Sequence, residues 1–368
     1  MYNSYAVVNL SNLEFNYNQI RRKAKGSGVI AVVKADAYGH GAKEVSINLA
    51  GLATPPESLA VARTEEAIEL RQYLPDIPLL VFDSISENNI RYYQEFNLEG
   101  TLTDIRQLKV IKDSGLKQKL NVHVKVDTGM GRVGLFPDQV LKFFTEAEKI
   151  QNLRINGIYT HFATSDEKDK SYAHLQLENF DRVISSLKSH SVNYGSIHAA
   201  NSGAILDLPE SYFDYVRPGI SLYGYYPSHE TSESIPLKPV MNLISHISSS
   251  RFMKKGDSVS YSRRYILSED ANIISIPLGY ADGINRRLTN RMKALIGGEV
   301  YDQAGTVTMD RIMFNTGNKK FNPGEKVILL GEDKNHRIDA WNWSDLLETI
   351  PYEITCGISK RVPRYYVR

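Results

Sequence analysis

The 368-residue sequence predicts an α/β protein: a (β/α)8 barrel of the TIM type followed by a mostly antiparallel β domain. Three observations carry the prediction. Eight short apolar runs alternate with segments of helical length over the first 236 residues, which is the pattern of βα units. The texture then changes after Pro236 to alternating, β-rich runs. Finally, basic residues and small polar turns collect just beyond the C-terminal ends of the first eight runs, where barrels place their chemistry.

The runs fall at 29–34 (VIAVVK), 58–63 (SLAVAR), 78–83 (PLLVFD), 98–103 (LEGTLT), 120–126 (LNVHVKV), 155–162 (INGIYTHF), 196–200 (SIHAA) and 215–224 (YVRPGISLYG). Continuous apolar runs such as Val29–Val33 suit strands buried on both faces of a parallel sheet. Helices are expected over 64–73, 137–150 and 172–187. An open doubly wound sheet has the same alternation, and strand counting does not exclude it. The barrel is assigned residues 10–236 and the β domain 237–368, with a first strand in 1–9 that packs with the β domain. Within 240–330 the runs MNLISHISSSRFM, DSVSYSRRY, NIISIPLGY, KALIGGEVYDQAGTVTM and KVILLGE read as antiparallel strands, and a helix is expected near DAWNWSDLLE.

Composition narrows the function classes. A net charge of +2 gives no electrostatic reason to expect nucleic acid or an anionic membrane as partner. Cys356 is the one cysteine, so no internal disulfide framework exists and a reducing compartment fits. The chain has no apolar run of transmembrane length, and its first residues lack the basic and apolar regions of a signal peptide. The expectation is a cytoplasmic protein.

The strand ends deliver Lys34 and Tyr38 after the first run, Lys125, Asp127 and Arg132 after the fifth, and His161 after the sixth. Asn201 and Ser202 follow the seventh, and Arg217, Gly219 and Ile220 the eighth. The turns NSG and RPGI stand where barrels build phosphate sites from backbone N–H groups. A lysine at the mouth of a buried strand, a phosphate cradle and several cations together suggest pyridoxal 5'-phosphate, whose aldehyde condenses with a desolvated lysine amine. The bland alternative is a rim ion pair, Lys34 with Asp36.

Three motifs are decoys. GMGRVG at 129–134 has the dinucleotide-binding spacing, but Pro137 delays the helix and the next strand ends at His161 rather than an acid. DTG at 127–129 lacks a second carboxylate from a separate lobe, and the nine histidines show no metal-ligand spacing.

AVVKADAYGHGA at 31–42 closely resembles the cofactor-lysine motif of the bacterial alanine racemases, with Asp36 where that family usually has Asn. The resemblance continues in family order through VHVKVDTGMGRVG, IYTHFATSD, HAANSGA, VRPGISLYG, SYSRRY, PLGYADG, TVTMD and RVPR, and covers nearly the whole chain. It implies a racemase that interconverts L- and D-alanine on pyridoxal 5'-phosphate, as a cytoplasmic homodimer with shared active sites, supplying D-alanine for peptidoglycan. Lys34 is implied to hold the cofactor and act as one base, and Tyr261, from the partner subunit, as the other. Arg217 is implied to face the pyridine nitrogen, with His161 linking it to Tyr261. Tyr38, Ser202, Gly219 and Ile220 are implied to hold the phosphate, and Arg132 to meet the phenolic oxygen and the substrate. Met309 and Asp310, also from the partner, are implied to meet the substrate carboxylate. Lys125 resembles a lysine that is carbamylated in some members.

Racemisation removes a proton from one face of a carbon and returns one to the other, so two bases on opposite faces suit it. An arginine can only donate, and at the pyridine nitrogen it leaves that nitrogen unprotonated. The chain departs from the family pattern at Lys360, Arg263, Arg264 and Thr308, which bears on side-chain selectivity. A serine or broad-spectrum racemase is therefore the first alternative. A decarboxylase of related architecture is a second, which Arg217 disfavours. A non-catalytic cofactor-binding barrel is a third, and the β domain carrying Tyr261 counts against it.

Overall fold

The computed structural model describes residues 3–368, so Met1 and Tyr2 of the expected first strand lie outside the described residues. Contacts divide these residues into two compact units: 14–37 with 42–238, and 3–13 with 38–41 and 239–368.

The first unit is a closed parallel barrel, not an open sheet. With β1 (Ser4–Asn9) reserved for the other unit, its strands are β2 (Gly28–Val32), β3 (Ser58–Val61), β4 (Leu79–Ser84), β5 (Glu99–Leu102), β6 (Leu120–Lys125), β7 (Leu153–Tyr159), β8 (Ser196–His198) and β9 (Tyr215–Val216). All eight apolar runs became barrel strands, and β9 closes on β2 through Gly28↔Tyr215 and Val29↔Val216. The strands are buried because helices cover them; one such helix, Val140–Ala147, buries Val140, Phe143, Phe144 and Ala147. The expected helices appear at Thr64–Arg71, Val140–Ala147 and Ser171–Ser189, and Pro137 opens a short 3₁₀ turn before the second. Register fixes the barrel interior: His123 lies opposite Gly157, and Lys125 opposite Tyr159, which is opposite His198.

The second unit is built on a largely antiparallel sheet. Its strands are β10 (Met241–His246), β11 (Ser249–Met253), β12 (Ser258–Val259), β13 (Tyr265–Ile266), β14 (Ala271–Ile276), β15 (Lys293–Ile296), β16 (Glu299–Gln303), β17 (Ile312–Asn315), β18 (Lys326–Asp333), β19 (His336–Ile338) and β20 (Arg364–Val367). Sheet order is β11-β14-β17-β16-β15-β18-β10-β1-β20, with β19 beside β18. The N-terminal β1 pairs antiparallel with β10 and parallel with β20, the one parallel pair of this sheet. The DAWNWSDLLE segment forms the helix Ala340–Leu347, capped by the Asp339 carboxylate. A second helix, Pro351–Gly357, follows, with a proline in its first turn.

Candidate active site

The C-terminal mouth of the barrel begins with an unusual backbone. The first strand ends at Val32, two residues before Lys34 rather than at it. Residues 34–39 then form a helical turn in which Ala35, Asp36, Ala37 and Tyr38 all have φ between 53° and 55°. This is a left-handed turn, which costs L-residues roughly 1–2 kcal/mol each. It is held from outside: the Glu66 carboxylate accepts the Ala35 N–H at 2.6 Å as well as those of Ala62 and Arg63. The Asp36 carboxylate accepts the Ala42 N–H at 2.7 Å. The strain is concentrated on the residues that carry Lys34.

Around this mouth the barrel gathers positive charge. Arg217 is buried; its guanidinium donates to the carbonyls of Thr160 at 2.7 Å and Ala199 at 2.8 Å, and to Nδ1 of His198 at 2.8 Å. Among the described residues the guanidinium thus bonds the His198 ring, and the His161 ring is not among its hydrogen-bond partners. Desolvation together with the fields of Arg217, Arg132, Lys125 and Lys34 pushes His161 well below its ordinary pKa, and the ring is neutral. Lys125 is buried, donates to the Val126 carbonyl at 2.8 Å, and lies 5.6 Å from the centre of the Tyr159 ring. Burial, then Arg217, lowers its amine to about 7, with the Asp127 charge acting in opposition. Tyr159 is buried beneath both cations, stacked on His198, and desolvation raises its phenol to about 12.

Asp127 does not neutralise this charge by a direct bond. Its carboxylate accepts the backbone N–H groups of Gly129, Gly131 and Arg132 at 2.9–3.0 Å, folding the loop that presents the exposed Arg132 side chain. After β8, Asn201 caps the helix Ser202–Asp207, and the Ser202 hydroxyl accepts the Gly219 N–H at 2.9 Å. Ser202 and Ile220 are buried here, and the buried Ser221 hydroxyl has no hydrogen-bond partner among the described residues. A mouth with Arg217, Arg132 and Lys34 around one neutral histidine, and backbone turns from two strand ends, fits a small anionic group that carries a phosphate and an aldehyde for Lys34.

The remaining candidates lie in the β unit. Tyr261 is 71% exposed on a 3₁₀ turn in which Ser260, Ser262 and Arg263 have positive φ. The Ser260 hydroxyl donates to the Thr306 carbonyl, and the Thr306 hydroxyl donates to the Tyr261 carbonyl, each at 2.8 Å. The same loop continues to the exposed Met309 and Asp310. It is braced by Tyr280 and Ala281, whose N–H groups donate to the carbonyls of Thr308 and Met309. Gly279 permits that approach, since a Cβ there would stand 2.2 Å from the Met309 carbonyl oxygen. Arg361 then spans Asp310 at 2.8 Å and Asp282 at 3.3 Å. Tyr38 is buried within this unit against Tyr352, and burial raises its phenol.

Sequence reasoning missed His198, His123 and Arg361. HAANSGA and RVPR had carried resemblance only, and nothing in an isolated SIH or VHV run shows that two histidines meet across a barrel.

Comparison with known proteins gives matches over nearly the whole chain. The family described as "Alanine racemase, N-terminal domain" matches residues 8–227, and "Alanine racemase, C-terminal domain" matches 240–366. An alanine racemase of Carboxydothermus hydrogenoformans is 41% identical over 99% of both chains. Among solved structures, an alanine racemase of Clostridium difficile in complex with cycloserine superposes with a TM-score of 0.91 at 34% identity, over 100% of this chain and 96% of that one. One from Bacillus anthracis with bound L-Ala-P gives 0.93 at 31% identity, also over 100% and 96%.

Proposed function

The chain belongs to the alanine racemase family, whose cofactor is pyridoxal 5'-phosphate, and from that premise we propose that it interconverts L- and D-alanine by a two-base mechanism. Bound through the Lys34 amine, the cofactor supplies the electron sink that acidifies the α-C–H bond of the amino acid. Lys34 Nζ holds or takes the proton on one face, and the partner subunit's Tyr261 on the other. Each enantiomer then meets one group as base and the other as acid. The enzyme is a homodimer in this reading, and the barrel unit is its cofactor domain.

The carrying observation is the buried Arg217, held by two carbonyls and one imidazole, at the base of the mouth that Lys34 rims. Facing the pyridine nitrogen, it donates a hydrogen bond without giving up a proton. Tyr38, Ser202, Gly219 and Ile220 hold the phosphate, Arg132 meets the phenolic oxygen and the substrate, and Met309 and Asp310 of the partner subunit meet the substrate carboxylate. His161 links Arg217 to the partner subunit's Tyr261 in this reading. Lys125, with an amine near neutrality, carries a carbamate beside Arg132.

The physiological product is D-alanine for peptidoglycan, made in the cytoplasm; no helix among the described residues is long and apolar enough to cross a membrane. The test is loss of optical rotation from L- and from D-alanine, with serine as the competing substrate. Exchange of the α-hydrogen in deuterated water should follow at matching rates. Lys34→Ala should abolish turnover, while Tyr261→Ala should cripple one direction of proton abstraction. Rapid turnover of both enantiomers by Tyr261→Ala would overturn the two-base reading.

A further inference from the structure

We infer that Glu99, at the N-terminal start of β5, is a positioning residue for Arg217 and acts through two histidines that cross the barrel interior. The inference rests on the reading of Arg217 as the donor to the pyridine nitrogen.

The hydrogen bonds allow a single set of proton positions. A guanidinium has donors only, so His198 Nδ1, 2.8 Å from Arg217 Nη1, must accept. Desolvation and the neighbouring Arg217 hold His198 well below its ordinary pKa, so its one proton sits on Nε2. That nitrogen faces His123 Nδ1 at 2.9 Å, which must therefore accept in turn. His123 then carries its proton on Nε2, opposite the Glu99 carboxylate at 3.2 Å, and a carboxylate can take that hydrogen bond. Asn156 fixes the other Glu99 oxygen at 2.8 Å. His123 and Asn156 hold the Glu99 carboxyl below the usual range against the opposing effect of burial.

The path is built into the barrel. Glu99, His123 and His198 come from β5, β6 and β8, and Arg217 follows β9. Gly157 on β7 makes room for it: a Cβ there would lie 2.5 Å from His123 Nδ1. Without Glu99, the Nε2–H that Arg217 imposes on His123 is a buried donor with no acceptor, and its cost opposes that tautomer. Once His123 turns its Nδ1–H toward His198, the proton on His198 shifts to Nδ1 and meets the guanidinium donor against donor. Arg217 then keeps only its two carbonyl bonds, and its aim at the mouth loosens. The chain is also polarised toward Arg217, since each accepting nitrogen is made more basic by the bond behind it.

The test compares Glu99→Leu, Glu99→Gln and Gly157→Ala in the full-length protein. Histidine-ring ¹⁵N NMR of the cofactor-free protein reads the tautomer of His198, and pyridine ¹⁵N NMR of the holoenzyme reads the Arg217 bond. In wild type, His198 should be the Nε2–H tautomer. Glu99→Leu and Gly157→Ala should give a mixture, a shifted pyridine signal and a kcat about tenfold lower with KM little changed. Glu99→Gln, which can still accept from His123, should restore the tautomer and most of kcat. An unchanged His198 tautomer in Glu99→Leu overturns the inference, as does Glu99→Gln behaving like Glu99→Leu. A changed tautomer with an unmoved pyridine signal upholds the relay and overturns instead the assignment of Arg217 to the pyridine nitrogen.

Discussion

The Asp127 carboxylate accepts the backbone N–H of Arg132 at 2.9 Å, and those of Gly129 and Gly131 at 3.0 Å, so it closes a loop instead of pairing with Lys125. The loop bearing Arg132 therefore depends on an acceptor with two oxygens, while burial and then Arg217 lower the amine of the lysine beside it against the opposing charge of Asp127.

Asp127→Asn replaces one accepting oxygen with an NH2 group that faces backbone donors. The expected loss is about 2 kcal/mol, the scale for hydrogen bonds to a charged group. Because the three bonds hold the wild-type carboxyl below its ordinary value of 3.8 despite desolvation, its contribution is present above that pH. It is lost as pH falls through the lower folded-state value, and the variant should lack that acid-dependent part. Urea midpoints of both proteins between pH 3 and 7 check this; parallel curves would refute it.

Lys125, with its amine at about 7, should add carbon dioxide. The amine nitrogen bonds to carbon, one C=O electron pair moves to oxygen, and a proton is released. In ¹³C-bicarbonate at pH 8 a carbamate resonance should appear, weaken as pH falls through about 7, and be missing in Lys125→Gln. The same lowered value means that unfolding takes up a proton at this site below the ordinary 10.5. Its burial thus costs nothing above 10.5 and reaches its full penalty below about 7, so stability rises with pH between these values, and Lys125→Met should flatten that rise.

Arg361 bridges Asp310 and Asp282 at a surface where ion pairs contribute little to stability. Arg361→Gln should therefore leave the melting temperature nearly unchanged while releasing Asp310. An increase in KM for alanine of about tenfold, with kcat less affected, is expected if Asp310 meets the substrate carboxylate. A KM equal to wild type would remove Asp310 from that role.

Ala35 sits at φ 53° in the left-handed turn after Lys34. Ala35→Gly should relieve strain and raise stability by about 1 kcal/mol. It should also lower kcat severalfold, since the turn that aims the amine becomes freer. Thermal melts with paired initial rates test it, and a destabilised variant would show that the turn is not strained.

The eight barrel strands were legible because a strand covered on both faces must be apolar along its length, whatever surrounds it. The β domain showed in its alternation, and its antiparallel character held apart from the β1–β20 pair. The seven residues of the helix Pro351–Gly357 are too few for a periodic signal. The strand carrying Lys34 was read two residues too long, since an apolar run does not mark where backbone pairing stops.

What the sequence by itself determined is the order and kind of elements and the chemical groups at the strand ends, because burial and backbone pairing act on each segment locally. What tertiary structure decided is which of those groups touch. Arg217 bonds His198 and not His161, Asp127 bonds backbone and not Lys125, and Glu99 reaches His123 only because Gly157 leaves space. Those choices depend on barrel register, where a shift of one residue turns a side chain from the interior to the outside, and no local pattern encodes register between strands far apart in the chain.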